Sequence, residues 1–323
     1  MTSLELPRGS RALQLFNHLE QDFQLFLEQL PPGLRELAYQ QNTYHGDDSA
    51  RRFTRLKHLN PVLVGTPWLF WDTFQSLDDE LILCTAEAGA YFVLASVLLD
   101  HLLDSQTRAP GLLAMYHQAL YSRGLSGYRR LFPAQSPFWD PFDRLANEHL
   151  AGLSAEHAAQ SRPEEFNFET LKVIAHGKVA PIVATLLALS AASGQMDLFP
   201  AMEASLKHIS VASQLLDDIG DWQPDLRDRH LTYFLTLLDS PESWTQAEWP
   251  AVEKLQAVLD AGWIDVDGFK AVMQDLDRAI EAVRGMNCPA WVAYVDGYRK
   301  ITDGHLERSI RRHLQRTFNN IGS

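Results

Sequence analysis

Four carboxylates, Asp217, Asp218, Asp221 and Asp225, fall within nine residues, directly behind the largely apolar run Ile209 to Leu216. A helix advances 3.6 residues per turn, so Asp217, Asp221 and Asp225 stack on one face, a turn apart. Three bare carboxylates in a column repel one another, and turned inward they also lose hydration. A cation offsets both costs. Hard oxygen ligands suit Mg²⁺, which takes one or two carboxylates per ion and completes its shell with water and substrate phosphates. A sparser pair, Asp100 and Asp104, stands upstream at the same i, i+4 spacing and ends an almost entirely apolar helix beginning before Phe92. One acidic column at a helix end is often a solvated cap. Two, each behind a hydrophobic helix and more than a hundred residues apart, would hold metal ions between them if placed across a cavity, and present those ions to a diphosphate.

The elements that position these columns read as helices throughout. Leu13, Phe16, Leu19, Phe23, Phe26 and Leu30 recur at spacings of three and four, an amphipathic helix over Arg11 to Leu30. Pro31-Pro32 stops it, and Gly33 to Tyr39 restarts a short one. Residues 40–60 are polar, and Arg51, Arg52, Arg55 and Lys57 read as a solvated loop and helix face. Pro61 to Phe74 is rich in aromatics. Asp78, Asp79 and Glu80 complement the positive end of the next helix, Asp79 to Asp104, which is apolar on nearly all sides and so central. Glu87 within it reads as a satisfied carboxylate. Helices follow over Leu112–Arg123, Phe142–Ala159, Thr170–Ser193 and Phe199–Asp221. Gly177 and Pro181 are expected to break the third of these where Lys178 is offered to the interior. Pro224 predicts a kink or helix end after Asp221, which makes Asp225 a weaker ligand than Asp217 or Asp221. Beyond it come Leu231–Leu238, a helix opened by Pro241, Ala247–Ala261, Val266–Arg284 and Pro289–Phe318. No strand-like alternation appears. The expectation is one all-α domain over residues 1–323, with residues 1–10 disordered.

Composition narrows the function. A chain of 323 residues with 46% hydrophobic content buries a large core. Its net charge of −13 argues against nucleic acid and against anionic membranes. The apolar runs 88–99 and 179–193 are shorter than a bilayer requires, so buried core helices are expected and not membrane insertion. Cys84 and Cys288, two thiols in a long chain without a signal-like N-terminus, fit a reducing cytoplasm.

On these residues the chain resembles the class I isoprenoid synthases, the trans-prenyl diphosphate synthases and the terpene cyclases. In the synthases two Asp-Asp-x-x-Asp motifs face each other across a central cavity and bind three Mg²⁺. Gln214-x-x-Asp217-Asp218-x-x-Asp221 is similar to the second motif, its leading Gln included. Asp100-His101-x-x-Asp104 is similar to the first, with His101 in place of the middle Asp. Lys178, 39 residues before Asp217, resembles the Lys that contacts diphosphate. The Gly-Lys-Arg and Arg-Arg-Gly segments that hold isopentenyl diphosphate in the synthases have no counterpart, and Asp104 is followed by Ser-Gln-Thr-Arg108. Asp217, Asp221 and Asp225 also meet the i, i+4, i+8 ligand spacing of terpene cyclases, and Tyr298-Arg299 echoes, reversed, their Arg-Tyr pair.

The resemblance implies a helical bundle that ionises an allylic prenyl diphosphate with magnesium, the cation then being cyclised or quenched, as in a terpene cyclase. The alternative is a prenyltransferase, either a diverged chain-elongating synthase or a head-to-head condensing enzyme. In either case Asp100 and Asp104 hold two ions, and Asp217, Asp221 and Asp225 the third. Asp218 completes the catalytic motif, and Lys178, Arg108, Arg227, Arg229, Tyr298 and Arg299 are the candidates for gripping diphosphate. Trp68, Trp71, Phe92, Trp222, Phe234, Trp291 and Tyr294 are candidates for the cavity wall, where an aromatic face stabilises a carbocation, although each alone reads as core. The family commonly forms homodimers. A helical subunit without catalysis is a further reading, which intact Asp217, Asp218, Asp221 and Lys178 oppose.

Overall fold

Ser10 accepts the backbone N–H of Leu13 at 3.1 Å and starts the first helix, α1 (Arg11–Gln29). Of the expected face Phe16, Leu19, Phe23 and Leu30 are buried and Leu13 and Phe26 half-buried, while Leu15 and Leu27 join the interior. This computed structural model describes residues 6, 9–40, 55–104, 109–162, 165–240 and 249–321. After α1 come α2 (Pro32–Gln40), then three single turns, α3 (Pro61–Val64), α4 (Thr66–Leu69) and α5 (Trp71–Phe74). The long helices are α6 (Asp79–Leu103), α7 (Pro110–Leu131), α8 (Trp139–Ser161), α9 (Phe168–Ser193) and α10 (Phe199–Asp228). The chain closes with α11 (Tyr233–Leu238), α12 (Val252–Ala261), α13 (Ile264–Ala282) and α14 (Pro289–Ile321). No strand occurs among the described residues, so the all-α class holds. The Pro241 helix, Arg51, Arg52, Arg108 and most of residues 1–10 lie outside the described residues.

The chain divides into two compact units. The first comprises Met1–Ala146, Ala180–Glu203 and Gly285–Tyr294. Its centre is α6, which Asp78 caps by accepting the N–H of Leu81 at 2.8 Å, as the acidic triplet foretold. Glu87 meets Arg123 of α7 at 2.8 Å and is satisfied. Trp68 lies against Phe16 edge-on at 4.9 Å and donates its indole N–H to the Ala12 carbonyl at 2.8 Å. By length and composition α6 and α9 could each cross a membrane, yet 72% and 83% of their apolar windows are buried within the protein.

The second unit comprises Asn147–Val179, Ala204–Arg284 and Val295–Ser323. Here α10 is pinned to its neighbours by small polar bonds: Ser210 donates to the Ala175 carbonyl at 2.7 Å, and Ser205 to that of Ala279 at 2.6 Å. Asp265 in the first turn of α13 is buried and accepts from Ser309, Arg312 and, at 2.9 Å, His313 of α14. Burial pushes its carboxyl up, but those hydrogen bonds and the Arg312 charge outweigh it and hold it below the usual range.

Two expected helix breaks do not occur. α9 runs unbroken through Gly177 and Pro181, and α10 runs through Pro224 to Asp228. A proline removes one N–H and crowds the carbonyl four residues earlier, and in both cases the residue four earlier is a glycine, Gly177 or Gly220. The Gly177 carbonyl left over by Pro181 is taken by Nδ1 of His149 at 3.0 Å, and Gly220 is exposed, where water serves. The break in α10 falls instead at Arg229, whose φ of 56° is left-handed.

Candidate functional site

In the second unit, α10 carries Asp217, Asp218, Asp221 and Asp225, and uninterrupted helix keeps Asp217, Asp221 and Asp225 in one column. Asp217 and Asp221 reach solvent. Crowding by surrounding protein is nevertheless the larger reason that the Asp217 carboxyl is raised; the Asp221 charge adds to it and Lys178 opposes it. Asp225 is half-buried and pushed up to about 7, by burial first and then by the charges of Asp218, Asp217, Asp221 and Asp228. Two carboxyls of the column, Asp217 and Asp225, are thus raised by burial and by their neighbours' charges, the Asp221 charge among them, which is the condition a cation relieves.

Asp218 behaves differently. It is 2% exposed, accepts the Gln214 amide at 2.9 Å and the Tyr233 backbone N–H at 3.2 Å, and is pushed up to about 7, mainly by burial. Thr232, the residue preceding α11, makes no capping bond with its own side chain, so Asp218 supplies the missing acceptor. The structure thus places Asp218 as the anchor between α10 and α11, beside the column and not in it.

Lys178 projects from α9 and pairs with Glu156 of α8 at 2.8 Å, both side chains partly buried. Its charge is felt at Asp217 and at Asp218, so the lysine and the acid column share one locality. Sequence reasoning missed Glu156, although its signal was present: Glu148, Gly152, Glu156 and Gln160 recur every four residues on one face of α8. Glu148 meets Lys207 at 2.9 Å. Gly152 lies so close to Gly177 that a Cβ on Gly177 would stand 2.6 Å from the Gly152 Cα. Gln160 accepts the Leu231 N–H at 2.8 Å and donates to its carbonyl at 3.0 Å.

The other expected site residues of this unit are less concentrated. Arg227 and Arg229 are exposed, Arg227 donating to Gln223 at 3.5 Å. Arg299, next to Tyr298 on α14, meets Asp277 at 2.8 Å and Asp296 at 3.1 Å, so two carboxylates already answer its charge. Trp222 and Phe234 are buried.

In the first unit Asp100 and Asp104 close α6, with Asp104 as the capping residue, its N–H donating to the Asp100 carbonyl at 3.0 Å. His101 between them is buried. Among the aromatics, Trp68 and Phe92 are core, and Phe92 packs on Tyr121, Tyr128 and Phe142. Trp71 is half-exposed under the guanidinium of Arg11, 5.4 Å from the ring. Trp291 stacks on Phe70 at 5.0 Å, and Tyr294 donates its hydroxyl to Asn60 at 2.7 Å.

Among the described residues, no three His, Cys, Asp or Glu side chains converge as a complete metal cage. The donor chemistry nonetheless fits Mg²⁺. It needs only one or two carboxylates per ion, and the stacked Asp217, Asp221 and Asp225 offer oxygen alone.

Several solved structures resemble the chain. A polyprenyl synthetase from Streptomyces coelicolor is 14% identical at a TM-score of 0.64, over 90% of this chain and 98% of that one. A geranylgeranyl pyrophosphate synthase from Corynebacterium glutamicum is 13% identical at 0.64, over 94% and 96%. A heptaprenyl diphosphate synthase from Staphylococcus aureus is 12% identical at 0.62, over 94% and 98%. The fold is that of the class I isoprenoid synthases. No family model and no curated protein sequence matches the chain. The likeness is therefore one of backbone, carried at identities too low for sequence to reveal it except through the acidic motifs.

Proposed function

We propose that the chain is a magnesium-dependent enzyme acting on an allylic prenyl diphosphate, and that it is a prenyltransferase. The observation that carries this reading is Lys178 in one locality with the column of Asp217, Asp221 and Asp225, within a fold shared with the prenyl synthases named above. Asp217 and Asp221 would hold one Mg²⁺, with Asp225 in support, and Asp100 and Asp104 would hold ions in their turn. Bound magnesium supplies positive charge to the departing diphosphate. Lys178 adds a point charge and an N–H donor to the same leaving group, which is electrostatic stabilisation by a preplaced cation. Asp218 keeps Gln214 and the start of α11 in place beneath the column.

Terpene cyclisation remains the second reading. Asp225 stays in the column because α10 does not end at Pro224, which preserves the i, i+4, i+8 spacing of cyclases. The absent Gly-Lys-Arg points the same way. Incubation with geranyl, farnesyl and geranylgeranyl diphosphates and Mg²⁺, with and without isopentenyl diphosphate, separates the two. A chain-elongating prenyltransferase releases diphosphate only when isopentenyl diphosphate is supplied. A cyclase and a head-to-head condensing enzyme each release it from one allylic diphosphate and are told apart by whether the product's carbon number is unchanged or doubled. If no allylic diphosphate is turned over in either condition, both readings fall.

A further inference from the structure

We propose that Glu156 is a positioning residue that holds Lys178 away from the Asp217–Asp221–Asp225 column, leaving those carboxylates open to a divalent cation while the ammonium stays at hand for diphosphate. The inference rests on the function proposed above and extends it to a residue on a different helix.

A lysine beside a set of under-neutralised carboxylates has an obvious wrong partner. Its stem is flexible and its charge compact, so it can swing to the nearest anion. The Lys178 charge is felt at Asp217 and Asp218, which places the lysine in their locality. Among the described residues, however, Asp217 makes no ion pair, and Lys178 meets Glu156 at 2.8 Å. A Lys178–Asp217 pair would put an ammonium where a metal ion is needed.

Three features make Glu156 suited to prevent this. Its side chain is 13% exposed and that of Lys178 29%, so the pair is less screened by water than an open surface pair. Its base is tightly packed: Gly152, one turn before Glu156, lies against Gly177, the residue before Lys178, so α8 and α9 meet backbone to backbone beside the pair. One turn on, Gln160 clasps the Leu231 backbone at both N–H and carbonyl.

The test is Mn²⁺ binding followed by electron paramagnetic resonance, with and without inorganic diphosphate, on the full chain. Glu156→Gln keeps the shape and an acceptor oxygen but removes the charge. It is expected to weaken Mn²⁺ binding on the order of tenfold. Adding Lys178→Gln should restore the wild-type Mn²⁺ affinity, since the competing ammonium is gone, while inorganic diphosphate no longer tightens binding. Should Glu156→Gln fail to fold by circular dichroism, Glu156→Asp, which keeps the charge at shorter reach, should show an intermediate loss. Equal Mn²⁺ binding by wild type and the Glu156 variants overturns the inference and leaves the proposed function standing. A loss that Lys178→Gln does not repair also overturns it, because Glu156 would then act on the metal itself. Absence of Mn²⁺ binding by the wild type overturns the proposed function, and the inference with it.

Discussion

The two acid columns have the same spacing and opposite surroundings. Asp100 and Asp104 end α6, where the helix dipole is negative and further carboxylates are disfavoured by about 0.3–1 kcal/mol. Asp217 and Asp221 lie inside α10, whose last residue is Asp228; the charge of Lys178 from α9 is felt at Asp217, and the adjacent Asp218 ties Gln214 of the same helix to the start of α11. Spacing identifies a column in both places. Only surroundings tell which carboxylate is available to a ligand and which is scaffold, and in α10 adjacent residues divide the two roles.

The strongest way to break that comparison is to substitute the adjacent pair separately. Asp217→Asn should reduce magnesium-dependent diphosphate release on the order of a thousandfold or more, about 4 kcal/mol. Its urea midpoint should be no lower than that of the wild type, because the substitution removes a carboxylate that burial and Asp221 disfavour. Asp218→Ala should do the reverse of a ligand loss at first: it strips the Tyr233 N–H and Gln214 of their acceptor and should cost about 1–3 kcal/mol of stability. If Asp218→Ala leaves the urea midpoint untouched while abolishing turnover, the division between ligand and scaffold is wrong.

The next effect sharpens what the surroundings contribute. Gly177→Ala would place a Cβ 2.6 Å from the Gly152 Cα and 2.8 Å from the Glu148 carbonyl, backbone on backbone, with no flexible side chain to yield. Separation of α8 from α9 should cost about 1–3 kcal/mol and carry Glu156 away from Lys178. No such coupling is expected for Gly111 in the first unit, where a Cβ meets nothing within 4 Å, so Gly111→Ala should be neutral in urea unfolding.

Acidity gives a third contrast. Asp225 is raised to about 7 by burial and by four neighbouring carboxylates. A carboxyl raised in the folded state contributes stability that is present below its unfolded value and is lost as pH rises through the folded one. Without divalent cation, wild type should therefore lose ground to Asp225→Asn between about pH 4.5 and 7.5. After allowance for partial exposure the gap should reach roughly 1–2 kcal/mol at the upper end. Parallel stability curves for the two proteins would show that the column is not strained.

How far the sequence revealed all this differs between fold and site. Helix positions followed from periodicity, since Phe16, Leu19 and Phe23 of α1 and the apolar α6 bury what their spacing assigns to the interior. Pro181 and Pro224 misled because proline's effect was weighed alone. The glycine four residues earlier and the His149 ring that takes the orphaned carbonyl were the compensating facts, and the second is tertiary. Asp217 and Asp221 were legible as a motif. Asp218 was not separable from them, because burial at the start of α11 is decided by Tyr233, fifteen residues on. The face of α8 that carries Glu156 was readable as a four-residue recurrence, but not the role of Glu156 on it, which comes from Lys178, 22 residues away.

The smallest expected effect tests whether α6 uses its two ends for different ends. Asp78 accepts the Leu81 N–H at 2.8 Å at the positive terminus, a position where a carboxylate is favoured by both the dipole and the unsatisfied donors. Asp78→Ala should cost about 1 kcal/mol by thermal or urea unfolding. Asp78 lies 22 residues before Asp100, six helical turns away, so turnover at permissive temperature should be unaffected. Asp104→Asn should give the opposite pair of results, lost turnover with no loss of stability, because nothing about a helix C-terminus rewards a carboxylate. Were Asp78→Ala to lower turnover as much as Asp104→Asn, the acids at the two ends of α6 would not be doing separate jobs, and the pair at its C-terminus would lose its claim to be set apart for a ligand.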